Sequence, residues 1–156
     1  MPPDMNLIHR PIESLIDSVS KTRSTPMETF DFEDGNGLVP AHKHINGGGW
    51  VANTAYVSET AYVGPNAWVF GNARVSDYAQ VFDNAQVSDY AWVANKARVF
   101  GNAQMSGNAL VSDNAQVFNN AQVFEDAWVF GDAQVFGDAQ VSGNTWVSGN
   151  AQVSGN

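Results

Sequence analysis

Residues 67–84 read AWVFGN, ARVSDY and AQVFDN, three blocks of six residues with the same layout. The layout continues in both directions without insertion, so that residues 49–156 divide into eighteen hexads. The first position of the hexad is alanine except at Gly49 and Thr145, and the third is valine except at Met105. Positions five and six are mostly Gly, Asp or Asn. A fixed short period of this kind indicates a repeat architecture.

Each hexad has the chemistry of a short strand followed by a corner. Alternation at period two sends the first and third side chains to one face of a strand and the second and fourth to the other. Valine suits a pleated strand, while Gly, Asn and Asp tolerate the unusual backbone angles of a corner. An α-helix is excluded because the apolar period is two and Gly or Asn recurs too often. Three sides of six residues give a triangular coil of 18, and six coils at about 4.8 Å each give a prism roughly 29 Å tall.

This run resembles the hexapeptide-repeat superfamily, whose left-handed parallel β-helix occurs in many acyltransferases. The resemblance covers 108 of the 156 residues and implies the left hand, whereas the general crossover rule favours right-handed connections. The A-x-V-x-G-N form departs from the usual enzyme repeat and is more similar to repeat proteins of uncertain activity encoded by bacteria and their phages. The lead-in VPAHKHINGGGWV, at residues 39–51, resembles the same phage-associated group. The predicted fold is therefore all-β: a left-handed, three-sided parallel β-helix of six coils, preceded by an arm.

The composition excludes several classes of partner. The chain carries 16 acidic and 7 basic side chains, a formal net charge of −9, and has no basic cluster that could bind a nucleic acid. There is no cysteine, which excludes disulfides and thiolate chemistry. No stretch approaches the roughly 18 apolar residues of a membrane span, and the N-terminus lacks the basic and apolar regions of a signal peptide. We expect no nucleic-acid or membrane partner, and a location in a virion or otherwise in the cytoplasm.

The 18-residue period predicts which outward side chains stack in columns. The second positions of the first face are Trp50, Trp68, Gln86, Gln104, Gln122 and Gln140. Those of the second face are Tyr56, Arg74, Trp92, Leu110, Trp128 and Trp146, and those of the third are Tyr62, Gln80, Arg98, Gln116, Gln134 and Gln152. The third face also carries Phe82, Phe100, Phe118 and Phe136 at its fourth positions and asparagines at its corner. We expect amide ladders of glutamine and of corner asparagine, hydrogen-bonded from coil to coil.

The aromatic columns are the predicted interaction site, through Trp92, Trp128, Trp146, Phe82, Phe100, Phe118 and Phe136. Stacked rings stabilise a solenoid by themselves, but a long aromatic patch is rarely left in water, so burial between copies is the preferred interpretation. Sugar binding along the Trp column is a third interpretation. Proteins of the resembled superfamily commonly form trimers of parallel prisms, which makes a homotrimer the expected assembly.

Histidine is missing from all six coils. The resembled acyltransferases use histidine as a general base, and the related carbonic anhydrases hold a metal with three of them. Here the histidines are His9, His42 and His44, all before the first coil. We predict no enzyme activity, catalytic residue, cofactor or metal; the alternative is a divergent acyltransferase with a base from the arm. His42 and His44 are interpreted as part of a polar linker in preference to a metal site, and Asp77, Asp83, Asp89 and Asp113 as corner residues.

Residues 1–48 are predicted to be an anchoring arm, separate from the solenoid at 49–156. Residues 11–20 have the pattern of a short amphipathic helix, too short to persist unless it docks on something. Its apolar side chains are Ile12, Leu15, Ile16 and Val19. Residues 29–32 read as a short strand followed by a turn. We expect the N-terminal end of the solenoid to be the covered end, and the arm to dock on the solenoid, on its copies or on a different protein. The predicted function is a non-enzymatic assembly protein: a homotrimeric phage virion component, either a head decoration (cement) protein or a tail appendage, with a capsid or tail protein as the partner of residues 1–48. A divergent acyltransferase and a carbohydrate-binding surface protein are the alternatives.

Overall fold

The computed structural model describes residues 27–156, and all the regular elements there are β-strands. The first two are β1 (Thr29–Asp31) and β2 (Leu38–Lys43). The strands of the first face are β3 (Trp50–Ala52), β6 (Trp68–Val69), β9 (Gln86–Val87), β12 (Gln104–Met105), β15 (Gln122–Val123) and β18 (Gln140–Val141). Those of the second are β4 (Tyr56–Val57), β7 (Arg74–Val75), β10 (Trp92–Val93), β13 (Leu110–Val111), β16 (Trp128–Val129) and β19 (Trp146–Val147). Those of the third are β5 (Tyr62–Val63), β8 (Gln80–Val81), β11 (Arg98–Val99), β14 (Gln116–Val117), β17 (Gln134–Gly137) and β20 (Gln152–Gly155).

The strands form three parallel sheets, one on each side of a solenoid of six 18-residue coils. Within the solenoid each strand pairs with the strand three before it and the strand three after it, where these exist, so that Val93 lies between Val75 and Val111. This register confirms the three-sided solenoid and all three predicted columns of second-position residues. The helix predicted over residues 11–20 lies outside the described residues. Within those described residues, no helix is long and apolar enough to cross a membrane.

The interior of the solenoid is filled by the first and third positions of the hexads. From Ala61 to Val135 these alanines and valines are fully buried, and Met105, the exception in the valine column, is 1% exposed. Burial of each valine side chain contributes about 1.5 kcal/mol, and burial of each alanine methyl group about 0.8 kcal/mol. Val153, in the last coil, is only partly buried. The core of the solenoid is therefore one continuous column of small aliphatic side chains.

The corners depend on a left-handed residue at the fifth position of the hexad. Asp77, Asn95 and Asp113 have φ of 59°, 57° and 59°. A residue with a Cβ pays about 1–2 kcal/mol for this conformation, least for Asn and Asp and nothing for Gly, which explains the composition of the corners. Asp83 and Asp89 adopt the same conformation, so the predicted corner role of all four aspartates is confirmed.

The N-terminal end of the solenoid is covered, as the sequence predicts. β1 and β2 form an antiparallel hairpin, and β2 pairs antiparallel with β3, so the hairpin extends the first sheet. The ring of Phe30 stacks on Trp50 at 4.7 Å, and that of Phe32 stacks on Phe70 at 4.9 Å. The strand predicted at residues 29–32 is thus confirmed as β1, and the described part of the predicted arm, residues 27–48, packs against the first coils.

The chain between β2 and β3 covers the first strand of the third face. The His44 ring Nε2 lies 2.9 Å from the Ala61 carbonyl oxygen, and the Gly49 N–H donates to the Val63 carbonyl at 3.0 Å. A Cβ on Gly49 would lie 2.2 Å from the carbonyl oxygen of Gly64. This close approach explains why glycine replaces the first-position alanine in the first hexad.

Candidate interaction surfaces

The second face, hereafter the Trp face, carries the most exposed aromatic side chains of the described chain. Because second positions point away from the interior, β10, β16 and β19 present Trp92, Trp128 and Trp146 to the outside. Their exposed fractions are 39%, 42% and 66%. Arg74 and Leu110 complete the column above Tyr56, which is 54% exposed.

The rings of the Trp face are stacked along the solenoid axis. Trp128 and Trp146 lie 5.3 Å apart with 7° between their planes. The Arg74 guanidinium lies 5.0 Å from the Trp92 ring centroid and 6.0 Å from that of Tyr56. The ring faces are therefore largely turned towards neighbours within the chain and the ring edges towards solvent, which leaves little open aromatic face for stacking a sugar.

The two corners that flank the Trp face carry exposed tyrosines: Tyr90 at the corner with the first face, and Tyr78 at the corner with the third face, where it lines a depression with Tyr62 and Gln80. Tyr78 is 64% exposed and Tyr90 65% exposed. Of the nine large apolar or aromatic side chains exposed in residues 27–156, six lie on the Trp face or at its corners. Tyr78 and Tyr90 are not among the interaction residues predicted from the sequence, because they occupy sixth positions, where a corner residue is expected. The 18-residue period places both at the corners of the Trp face.

The predicted Phe column, hereafter the Phe ladder, is present on the third face. Phe82, Phe100, Phe118 and Phe136 are half-buried. Successive ring centroids are 4.9, 5.0 and 5.2 Å apart, with at most 8° between planes. The Arg98 guanidinium lies 5.2 Å from the ring centroid of Phe82 and 5.1 Å from that of Phe100, and its buried Nε has no hydrogen-bond partner. Each ring thus covers its neighbours and leaves an edge exposed.

Of the two predicted kinds of amide ladder, only the asparagine ladder forms. Asn84 donates to Asn102 at 3.3 Å, Asn102 to Asn120 at 3.2 Å, and Asn120 to Asp138 at 3.0 Å. The expectation for glutamine was wrong: in residues 27–156 no hydrogen bond joins two glutamine side chains. A glutamine has one more rotatable bond than an asparagine, so holding its carboxamide in a ladder costs more side-chain entropy.

The two described histidines both make hydrogen bonds within the N-terminal cover. His42 Nδ1 lies 2.7 Å from Asn53 Oδ1, while the His44 ring is buried against the Ala61 carbonyl. The side chain of Asn46 donates to the same carbonyl at 3.0 Å. No group of three His, Cys, Asp or Glu side chains within residues 27–156 is arranged to hold a metal ion. The contacts agree with the interpretation of His42 and His44 as part of a polar linker.

A shallow groove of about 390 Å³ lies where the hairpin meets the first two coils. Its floor is apolar, from Phe32, Val39 and Phe70, and Asp34 and Asn36 lie on its rim. The backbone N–H and side-chain amide of Asn36 both donate to the Asp34 carboxylate and hold the pKa of that group below its ordinary value. The groove is open to solvent and belongs to the hairpin packing.

These features define a β-solenoid repeat protein with an aromatic face. A family model described as the YdcK beta solenoid repeat matches residues 103–118 and 133–149. Both matched segments lie in the coils, and they support the repeat architecture. No curated protein and no solved structure matches the chain. Residues Ile12, Leu15, Ile16 and Val19 of the predicted anchoring helix lie outside the described residues.

Proposed function

We propose that this chain is a non-enzymatic structural protein, a rigid prism that assembles with copies of itself and with a larger partner. The proposal includes a left-handed coil and membership of the hexapeptide-repeat superfamily. The observation that carries it is the unbroken register of the six coils, which leaves three flat sides and no inserted loop to enclose a substrate. Flat sides with aromatic columns suit contact with another protein surface.

A homotrimer of parallel prisms is the proposed assembly, with the corner between the third and first faces nearest the three-fold axis. In that symmetry each corner residue meets its own copies at the same height, so corner carboxylates repel one another. The corner between the third and first faces has two, Asp83 and Asp138. The corner between the first and second faces has three, and the remaining corner has four. The Phe ladder borders the least acidic corner and would be covered there.

The trimer is tested by removing one ring of the Phe ladder. Phe118→Ser suits the purpose because serine already occupies the fourth position at Ser106 and Ser112, so the hexad accommodates it. Phe124→Ser, at the same hexad position on the first face, is the matched control. Light scattering at micromolar concentration should give three copies, or a multiple of three, for the wild type and the control. Phe118→Ser should give a smaller mass. A monomeric wild type overturns the trimer.

The specific form of the proposal is a phage particle component, a head decoration (cement) protein or a tail appendage, held by residues 1–48. Its support is the resemblance of the lead-in at residues 39–51 and the apolar stripe of residues 11–20. The test is mass spectrometry of purified particles, with the full-length chain carrying Leu15→Asp to disrupt the stripe and Ser14→Asp as the control. The wild type and control should copurify with particles and Leu15→Asp should not. Absence of the wild-type chain from particles overturns this form of the proposal.

A further inference from the structure

The side of the prism opposite the proposed three-fold axis is the Trp face, and its composition is that of a contact surface. Trp, Tyr and Arg are the residues enriched at the energetic centres of protein interfaces. The Trp face and its two corners hold Trp92, Trp128, Trp146, Tyr56, Tyr78, Tyr90 and Arg74. The second positions of the other two faces are mostly glutamine. The Trp face therefore remains available for a contact other than the one that forms the trimer.

We propose that the Trp face pairs with the Trp face of a second copy whose solenoid runs in the opposite direction. A two-fold axis lying in the contact plane, perpendicular to the solenoid, leaves each column opposite itself and reverses the order of the coils. Coil one then faces coil six, coil two faces coil five, and coil three faces coil four. The second-position pairs become Tyr56 with Trp146, Arg74 with Trp128, and Trp92 with Leu110.

These pairs are chemically compatible. Arg74 meets the ring edge of Trp128, against which the apolar stem of its side chain can pack. Tyr56 meets the outermost tryptophan, and Trp92 meets an aliphatic side chain. The position of Leu110, the one aliphatic residue in the column, follows from this pairing, because it faces Trp92 of the other copy.

The corner charges favour the same arrangement. Reversal of the coils places every carboxylate beside the Trp face opposite a glycine or an uncharged side chain. At the fifth positions these pairs are Glu59 with Gly149, Asp77 with Gly131, Asn95 with Asp113, Gly71 with Glu125, and Asp89 with Gly107. At the sixth positions they are Asn72 with Asp126 and Tyr78 with Asp132. Lys96, in coil three, comes to the height of Asp113 in coil four of the other copy. At these corners Lys96 and Asp113 are the pair of opposite charge, and Asp77 and Asp132, which also come to the same height, are the one pair of like charge.

A parallel pair of the same faces fails this test. With the two-fold axis along the solenoid, each coil faces its own copy, so Arg74 would lie opposite Arg74. The two corners would also exchange sides with their residue order reversed, which places Glu125 opposite Asp132. Both contacts repel, whereas Lys96 of coil three then faces Asp89 and attracts it. The contact of Arg74 with itself, which the antiparallel pair avoids, therefore disfavours the parallel pair.

The size of the contact sets its expected strength. A side six coils tall is roughly 29 Å by 16 Å, so a pair buries on the order of 1,000 Å² in total. This is the lower limit for a specific interface. We expect an association that depends on concentration in the micromolar range.

The arrangement is tested by disulfide crosslinking, since the chain has no cysteine of its own. A Tyr78→Cys chain is mixed with an Asp132→Cys chain and, separately, with an Asn72→Cys chain, and both mixtures are oxidised. The antiparallel pair brings residue 78 opposite residue 132, whereas the parallel pair brings it opposite the corner formed by residues 71 and 72. We expect a crosslinked dimer in the first mixture and several-fold less in the second. Adding Trp128→Gln to both partners should remove most of the crosslink, because glutamine is a common second-position residue and keeps the coil folded.

The crosslinking result does not depend on whether the proposed trimer forms. Phe118→Ser should leave the 78–132 crosslink unchanged, because the Phe ladder lies on another side of the prism. A crosslink that forms mainly between residues 78 and 72, or that persists with Trp128→Gln, overturns the antiparallel pair. Equally weak crosslinking in both mixtures at micromolar concentration also overturns it, whatever the mass of the wild type.

Discussion

The Asp113 carboxylate accepts the backbone N–H of Gly131 at 3.0 Å, so that a corner side chain of one coil bonds the corner backbone of the next. The two residues hold the same hexad position, eighteen residues apart. Asp83 accepts the N–H of Gly101 at 3.1 Å, and Asp89 that of Gly107 at 2.9 Å, in the same way. Fifth-position acids therefore do two things: they adopt the left-handed corner and they tie it to the coil above.

Asp113→Ala should lower the stability of the solenoid by about 1–2 kcal/mol. The variant loses the hydrogen bond to the Gly131 N–H while keeping a Cβ in a left-handed conformation. Asp113→Asn should cost less, because an asparagine oxygen serves the same purpose where Asn95 accepts the Asp113 N–H at 3.2 Å. Urea denaturation followed by circular dichroism gives both values. Equal losses for the two variants would show that charge, and not the hydrogen bond, is what matters at this corner.

Replacing a fifth-position glycine should lower stability by an amount that depends on which atoms of the next coil lie close to it. Gly107 and Gly149 have nearly the same φ, 61° and 62°. A Cβ on Gly107 would lie 2.7 Å from the backbone nitrogen of Glu125, whereas a Cβ on Gly149 meets nothing within 4 Å. Gly149→Ala should therefore cost about 1 kcal/mol from φ alone, and Gly107→Ala distinctly more, because the next coil must shift. Thermal melts of the two variants provide the comparison, and a larger loss for Gly149→Ala would contradict it.

The period alone was sufficient to predict the coils, because each hexad repeats the same local physics. Alanine and valine alternate on the inner side, and a corner residue follows, so the period predicts which residues stack in each column. The Phe ladder and the asparagine ladder followed directly from residues eighteen apart. The handedness of the coil could not be predicted from the period, because side chains alternate between inside and outside in the same way in a left-handed and a right-handed coil.

The sequence-based predictions failed where side-chain length or contacts between distant residues determine the structure. The second-position glutamines were expected to bond one another, but a longer side chain has other rotamers open to it. The hydrogen bonds from the corner carboxylates were missed because they join a side chain to a backbone group one coil away. The cover formed by residues 29–43 was only partly foreseen, since β2 pairs with β3 in a direction opposite to the repeat.

The carboxyl group of Asp34, in the turn at the tip of the hairpin, should have a lowered pKa. Two hydrogen bonds from Asn36 to the Asp34 carboxylate favour its charged form and lower its pKa below 3.8. Because the folded pKa is depressed, the stabilisation is present above the unfolded pKa and is lost as the pH falls through the folded value. Carboxyl NMR titration should give a pKa under 3.8 in the wild type and a higher one in Asn36→Ala, which keeps the backbone donor but loses the side-chain donor. An unchanged pKa in that variant would assign the whole shift to the backbone N–H.

Phe32→Ala should detach the hairpin without unfolding the coils. Phe32 is 2% exposed, and its ring stacks on Phe70 and lies edge-on to Phe30, both at 4.9 Å. Its loss should cost about 3 kcal/mol, a large share of the packing that holds the hairpin on the first coils. A solenoid couples each coil mainly to its neighbours, so the middle coils should keep their stability.

Hydrogen exchange measured by mass spectrometry separates these regions. In Phe32→Ala the amides of β2 and β3 should exchange faster, while those around Val99 and Val117 keep their wild-type protection. Phe124→Ala, on the first face but four coils from the hairpin, is the control and should leave β2 and β3 protected. If Phe32→Ala instead lowers protection equally in all six coils, the hairpin and the solenoid unfold as one cooperative unit. The cover would then be an integral part of the prism and not a separable cap.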